Sequence, residues 1–223
     1  MCKEVRCLLL EIDRISYSNA LDIQHDLHAR CASGDIPGAL ILLEHDPVIT
    51  MGVKTSSRGN VLASPKLLEA NGIELVETDR GGDVTYHGPG QLVGYPIVRV
   101  REMGGDVHRY LRALEQSVID TLAEFGLEGS RNGLAGVWVK EKKVCSIGIA
   151  VRKGVTYHGF ALNVDPNLSH FGLINPCGLA SEQITSMAKL LGEAPNMRDV
   201  RDAYARAFSK IFNVTLCEWC DSA

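Results

Sequence analysis

The stretch Arg80-Gly-Gly-Asp-Val-Thr-Tyr-His-Gly-Pro-Gly-Gln91 constrains this chain most: four glycines and a proline in twelve residues exclude a regular helix or a central strand. Glycines let a backbone approach a ligand closely, and Arg80 and His87 would supply polar anchors beside them. The competing reading is a glycine-rich hairpin with a surface arginine and a core histidine. The segment lacks the Gly-Lys-Ser/Thr ending of a nucleotide-phosphate loop, so no Walker site is assigned.

The rest of the chain bounds what that segment can serve. At 223 residues, 45% hydrophobic and 22% charged, it reads as one globular domain, 1–223, able to bury its own core. A net charge of -4 favours no nucleic-acid partner. No apolar stretch has membrane-spanning length, and Cys7-Leu8-Leu9-Leu10 is too short for a secretory leader before Glu11 and Asp13. Seven irregularly spaced cysteines point to reduced thiols and a cytoplasmic location rather than a disulfide framework.

Apolar spacing predicts helices over 17–33, 64–71, 105–125 and 198–212. The third has an apolar stripe of Val107, Leu111, Leu114, Val118 and Leu122, with Gly126 as its stop. Strands are expected on both sides of Pro47 between Ala39 and Met51, then over 73–77, 92–100, 136–139, 144–151 and 155–164. Strands outnumber helices without regular alternation. The fold class is therefore α+β, a mixed and largely antiparallel sheet flanked by helices.

Two further segments can carry chemistry. In Lys142-Lys143-Val144-Cys145-Ser146-Ile147-Gly148, strand alternation puts Lys143, Cys145 and Ile147 on one face, and Val144, Ser146 and Gly148 on the other. Lys143 reads either as a solvated edge charge or, if buried near a cysteine, as a promoter of thiolate and a proton shuttle. In Asn175-Pro-Cys-Gly178, a proline and a glycine around Cys177 could hold an accessible thiol, whereas Cys31 and Cys145 read as small core hydrophobes. Cys217-Glu-Trp-Cys220 has redox or zinc spacing, but with no second pair it reads as a tail. His25 and His28 read as surface residues one helical turn apart; His45, His108 and His170 suggest no specific role.

Taken in order, Arg80–Gln91, Lys143-Val-Cys-Ser-Ile-Gly148, His158-Gly-Phe-Ala-Leu-Asn163 and Pro176-Cys-Gly178 followed by Ile184-Thr-Ser186 resemble the octanoyltransferases of lipoate biosynthesis, from about His45 to Ser186. The resemblance implies the biotin/lipoate protein ligase fold and an octanoyl or lipoyl transferase. The donor would be octanoyl-acyl carrier protein with its 4'-phosphopantetheine thiol. The acceptor would be a lysine of lipoyl domains of 2-oxoacid dehydrogenases or of the glycine cleavage H protein, with no ATP and no metal. It also implies Cys177 as acyl-thioester nucleophile and Lys143 as the residue that lowers that thiol's pKa. Arg80, Gly81, Gly82, Asp83, Val84, Thr85, Tyr86, His87, Ser146, Ile147, Gly148, Gly159, Phe160 and Ala161 would line the acyl pocket, with no individual role attached to Asp83. Two rivals remain. One is an ATP-dependent lipoate or biotin ligase, and the other is a non-catalytic binder of acyl chains or carrier domains. Lys140, Lys142, Arg152 and Lys153 are candidates to meet an acidic carrier, or form a solvated turn.

Overall fold

The structure is a computed structural model that describes residues 5–54, 57–175 and 183–219. Its elements run β1 (Val5–Ile15), α1 (Tyr17–Ser33), β2 (Ala39–His45), β3 (Val48–Met51), α2 (Pro65–Ala70), β4 (Glu74–Glu77), β5 (Val84–His87) and β6 (Gln91–Ile97). Then follow α3 (Val107–Glu124), β7 (Gly136–Val139), β8 (Lys142–Arg152), β9 (Val155–Asn163), α4 (Met187–Leu191), α5 (Met197–Phe212) and β10 (Val214–Glu218). Seven strands form one sheet in the order β10-β1-β2-β6-β9-β8-β7. Its first two pairings are parallel and the other four antiparallel. A smaller sheet, β4-β3-β5, stands beside it.

Side-chain period explains the layers. Along β2, Leu40 and Leu42 join a core with the buried faces of α3 and α5. Ala39, Ile41 and Leu43 join a second core with Ala20, Leu27 and Cys31 of α1. Successive strand residues point to opposite faces, so this strand is buried on both sides. A third core lies between the small sheet, α2 and the segment around Phe171.

Local chemistry sets the boundaries. Ser16 caps α1 by accepting the Asn19 N–H, and Gly34, at φ 96°, ends it in the left-handed conformation. Asp106 caps α3, and Gly126 follows it at φ 75°. Pro47 breaks the run between β2 and β3, and the break sends them into different sheets.

Several expectations need correction. Val107 is exposed, and the buried face of α3 runs instead through Tyr110, Leu114, Val118 and Leu122, with Glu115, Ser117 and Thr121. His28 is buried, donating Nε2–H to the Arg152 carbonyl and meeting Tyr157 edge-on; His25 is exposed. β1 and β10 were not anticipated. They pair in parallel from the two ends of the chain, so no local turn announces them. Cys217 lies in β10, and Cys220 lies outside the described residues. Lys140 and Lys142 sit at one end of β8 and Arg152 and Lys153 at the other. Ten residues at ~3.3 Å each separate them by about 33 Å, too far to form one patch.

Candidate active site

The glycine-rich segment divides into a loop, Arg80–Asp83, the edge strand β5, and a turn, Gly88–Gly90, that leads into β6. The loop is anchored through Arg80, whose buried guanidinium donates to the Thr50 carbonyl (2.7 Å) and the Thr50 hydroxyl (2.9 Å). Gly81 donates its N–H to the Ile149 carbonyl of β8, which brings the loop against the large sheet. A Cβ at Gly148 would stand 2.7 Å from the Gly81 carbonyl, so glycine is what lets this close approach occur. Asp83 acquires a role that sequence could not suggest. Its carboxylate accepts from the Val84 N–H and from the Asn60 side chain, each at 2.8 Å. The Asn60 carbonyl in turn accepts the Asn175 N–H at 2.7 Å.

Between loop and sheet lies a cavity of about 310 Å³. Arg80, Gly81, Gly82, Asp83, Val84, Thr85 and His87 line one side, and Lys143, Ser146, Ile147, Gly148, Gly159, Phe160 and Ala161 the other. Tyr86 stands apart from them. Alternation along β5 turns its ring into the third core, edge-on to Phe171, and its hydroxyl meets His170 Nδ1 at 2.8 Å.

Lys143 reaches this cavity through a β-bulge. In the β7–β8 pairing Val137 faces Cys145 while Trp138 faces Lys143, which leaves Val144 as an extra residue. The extra residue reverses the alternation. Val144 and Cys145 both enter the first core, and Lys143 joins Ser146 and Gly148 at the cavity. The expected shared face of Lys143 and Cys145 is thereby corrected. Burial pushes the Cys145 thiol well up, more than the lysine beside it brings it down, so Cys145 is held as a neutral thiol.

Lys143 is 8% exposed, and its ammonium lies 5.3 Å from the Trp138 ring centroid. A Cβ at Gly136 would come within 2.8 Å of Lys143 Cε, so the glycine makes room for the lysine stem. The loop before β7 is tied down by buried Glu115 of α3, which accepts from Arg112 (2.7 Å) and Arg131 (2.9 Å). That loop brings Leu134 and Ala135 to the cavity, Leu134 with half its surface still exposed. The segment 176–182, with Cys177, lies outside the described residues. The next described stretch is hydrogen bonded to the lysine itself: Ile184 bridges Lys143, and Thr185 donates its N–H to the Lys143 carbonyl at 2.9 Å.

Tyr17, Lys54, Tyr95, Leu134, Ala135 and His158 also line the cavity and were not predicted as site residues. His158 carried a signal, since it opens the His158–Asn163 motif. The others lie in four separate segments with no motif around them.

Tyr17, His45, His87 and Tyr95 form a buried polar cluster at the cavity. The Tyr17 and His87 rings stack at 6.3 Å, and His45 lies 5.8 Å from His87. His45 donates Nδ1–H to the Ile15 carbonyl (3.0 Å), so its Nε2 accepts from the Tyr95 hydroxyl (2.6 Å). Burial lowers His45 to about 4 and His87 well below the usual histidine value, the latter with help from the neighbouring His45 and Arg80. Both rings are therefore neutral in the fold, whereas the unfolded chain takes up protons below about pH 6.5. Stability is expected to be flat above that value and to fall as pH drops towards 4. His45 alone accounts for about 3 kcal/mol of the fall. Thermal unfolding across pH 4–7 measures it, and a His45→Gln variant should show a shallower slope.

Residues 16–209 match the family described as the lipoyl protein ligase A/B catalytic domain. The octanoyltransferase of Chloroflexus aurantiacus is 49% identical over 205 residues, covering 90% of this chain and 92% of the relative. That of Solibacter usitatus is 48% identical over 208 residues, covering 93% of each. Among solved structures, a lipoate-protein ligase A bound with ATP superimposes with TM-score 0.81 at 21% identity, covering 98% of this chain and 90% of that one. Biotin protein ligase from Aquifex aeolicus gives 0.56 at 14% identity, covering 92% and 70%. The two solved structures establish the fold, and the match over nearly the whole chain establishes the lineage: the chain belongs to the lipoyl protein ligase A/B catalytic-domain family and, within it, to the octanoyltransferases.

Proposed function

We propose that the protein takes an octanoyl group from acyl carrier protein onto Cys177 and passes it to a lysine of a lipoyl domain, with Lys143 moving the protons. The observation that carries this reading is the buried Lys143 at the wall of the cavity, hydrogen bonded through its carbonyl to the stretch that follows Cys177. A nearby ammonium favours thiolate over thiol, and the thiolate is the nucleophile.

In the first step the Cys177 sulfur attacks the octanoyl thioester carbonyl. A new carbon–sulfur bond forms, the bond to the carrier's phosphopantetheine sulfur breaks, and the Lys143 ammonium protonates the leaving thiolate. In the second step the acceptor lysine amine attacks the acyl-enzyme. A carbon–nitrogen bond forms, Cys177 leaves as thiolate, and neutral Lys143 takes the amine's proton. One thioester replaces another and an amide then replaces the thioester. The sequence runs downhill, so the route needs no ATP.

Glycines at 81, 82 and 148 leave a narrow slot, and Val84, Ile147 and Phe160 supply apolar wall for an alkyl chain. The acceptors under this reading are lipoyl domains of 2-oxoacid dehydrogenases and the glycine cleavage H protein. Cys7, Cys31, Cys145 and Cys217 are all free thiols, in keeping with a cytoplasmic enzyme.

Intact-mass analysis after mixing the purified protein with octanoyl-acyl carrier protein tests the reading. A single octanoyl adduct on Cys177 is expected, discharged on adding a lipoyl domain without ATP. Transfer that requires ATP and free octanoate, with no adduct, would favour a ligase. Carrier binding with neither adduct nor transfer would favour a binding module.

A further inference from the structure

His158 is the one non-glycine residue with positive φ inside a strand among the described residues; Lys140, Glu141, Lys153 and Asn213 have theirs at turns or a helix end. Its φ of 54° is uncommon backbone for a side-chain-bearing residue and persists where surroundings impose it. Three contacts do so here. The Gln24 side chain accepts its N–H at 2.8 Å. Asp79 accepts its Nε2–H at 2.8 Å. The Tyr17 hydroxyl lies 3.5 Å from Nδ1. Asp79 is itself held by the Tyr157 hydroxyl. The effect is to aim a buried ring into the wall of the cavity.

Strand register locates that ring. His158 is directly opposite Ile149, six residues along β8 from Lys143. At ~3.3 Å per residue the two backbones are about 20 Å apart. His158 therefore stands at the end of the cavity remote from Lys143. Burial lowers its pKa in spite of the Asp79 carboxylate, so a neutral ring faces the cavity.

We propose that the His158 ring, fixed in place by Asp79, is the end wall of the acyl cavity and limits the length of chain the enzyme transfers. The proposal rests on the octanoyl-transfer reading and adds a specificity residue with a positioning residue behind it. One methylene more or fewer in an apolar pocket changes discrimination by roughly 10–200-fold, so a displaced end wall has a readable effect.

The test compares octanoyl, decanoyl and dodecanoyl acyl carrier proteins as donors. His158→Asn is the first variant, because asparagine accepts the left-handed backbone and its side chain is shorter. Its decanoyl-to-octanoyl ratio of kcat/KM is expected to rise about tenfold or more. Asp79→Ala, which frees the ring without removing it, should move the ratio the same way by less. Asp79→Asn keeps an oxygen acceptor and should restore the native ratio. An unchanged ratio in His158→Asn overturns the proposal. So does equal loss of all three donors at an unaltered unfolding midpoint, because that is the mark of a role in the chemistry. Should His158→Asn not fold, Asp79→Ala decides by the same ratio. Absence of octanoyl transfer by the unmodified enzyme is a different outcome and counts against the functional reading.

Discussion

Replacing Lys143 with methionine is expected to slow octanoyl transfer by about 10²–10⁴-fold, the range for losing a positioned acid–base group, with the fold retained. Methionine keeps an unbranched stem against Gly136 and Trp138 and removes only the ammonium. Both half-reactions should suffer, because the leaving thiol loses its proton donor and the attacking amine its acceptor. Cys177 should also alkylate more slowly with iodoacetamide at neutral pH, since less of it is ionised without a neighbouring cation. Cys177→Ala is expected to remove the octanoyl adduct and transfer altogether. Rapid-quench measurement of adduct formation and discharge separates the two variants. Unimpaired transfer by either one would falsify the dyad.

Gly159→Ala should destabilise the protein by about 3 kcal/mol, at the upper end of the range for overpacking a core. An added methyl would stand 2.9 Å from Pro96 Cδ and 3.1 Å from the Gly94 carbonyl carbon, and its nearest neighbour is the Gly94 oxygen. These atoms belong to β6, a central strand paired on both sides, so they cannot withdraw without disturbing the sheet. The unfolding midpoint of a protein this size should fall by roughly 6–12 °C. Gly59→Ala, where an added Cβ meets nothing within 4 Å, is the matched control and should change it little.

Much of this architecture was legible before any coordinates. Helices α1, α3 and α5 follow from apolar spacing at helical period, and the end of α3 from Gly126. The strands around Pro47 and the hairpin of β7 and β8 follow from alternation and turn residues. The four motif segments were legible as well, and residues from three of them line one cavity. Strands β1 and β10 were not, because their partners lie at opposite ends of the chain and parallel pairing leaves no local turn. Tyr17, Lys54 and Tyr95 were hidden for a related reason: each lies in a different part of the chain, and only packing brings it to the cavity.

By itself the sequence determined most of the elements and the glycine-rich loop, and its resemblance to the octanoyltransferases supplied the candidates Cys177 and Lys143. The elements and the loop are properties of short segments, governed by local sterics and side-chain period. Only the tertiary structure decided which way Lys143 points. A single extra residue at Val144, set by pairing with β7, moves the lysine from the core face to the cavity and leaves Cys145 in the core. Period-two alternation holds only while the register does, and register is a property of two strands together.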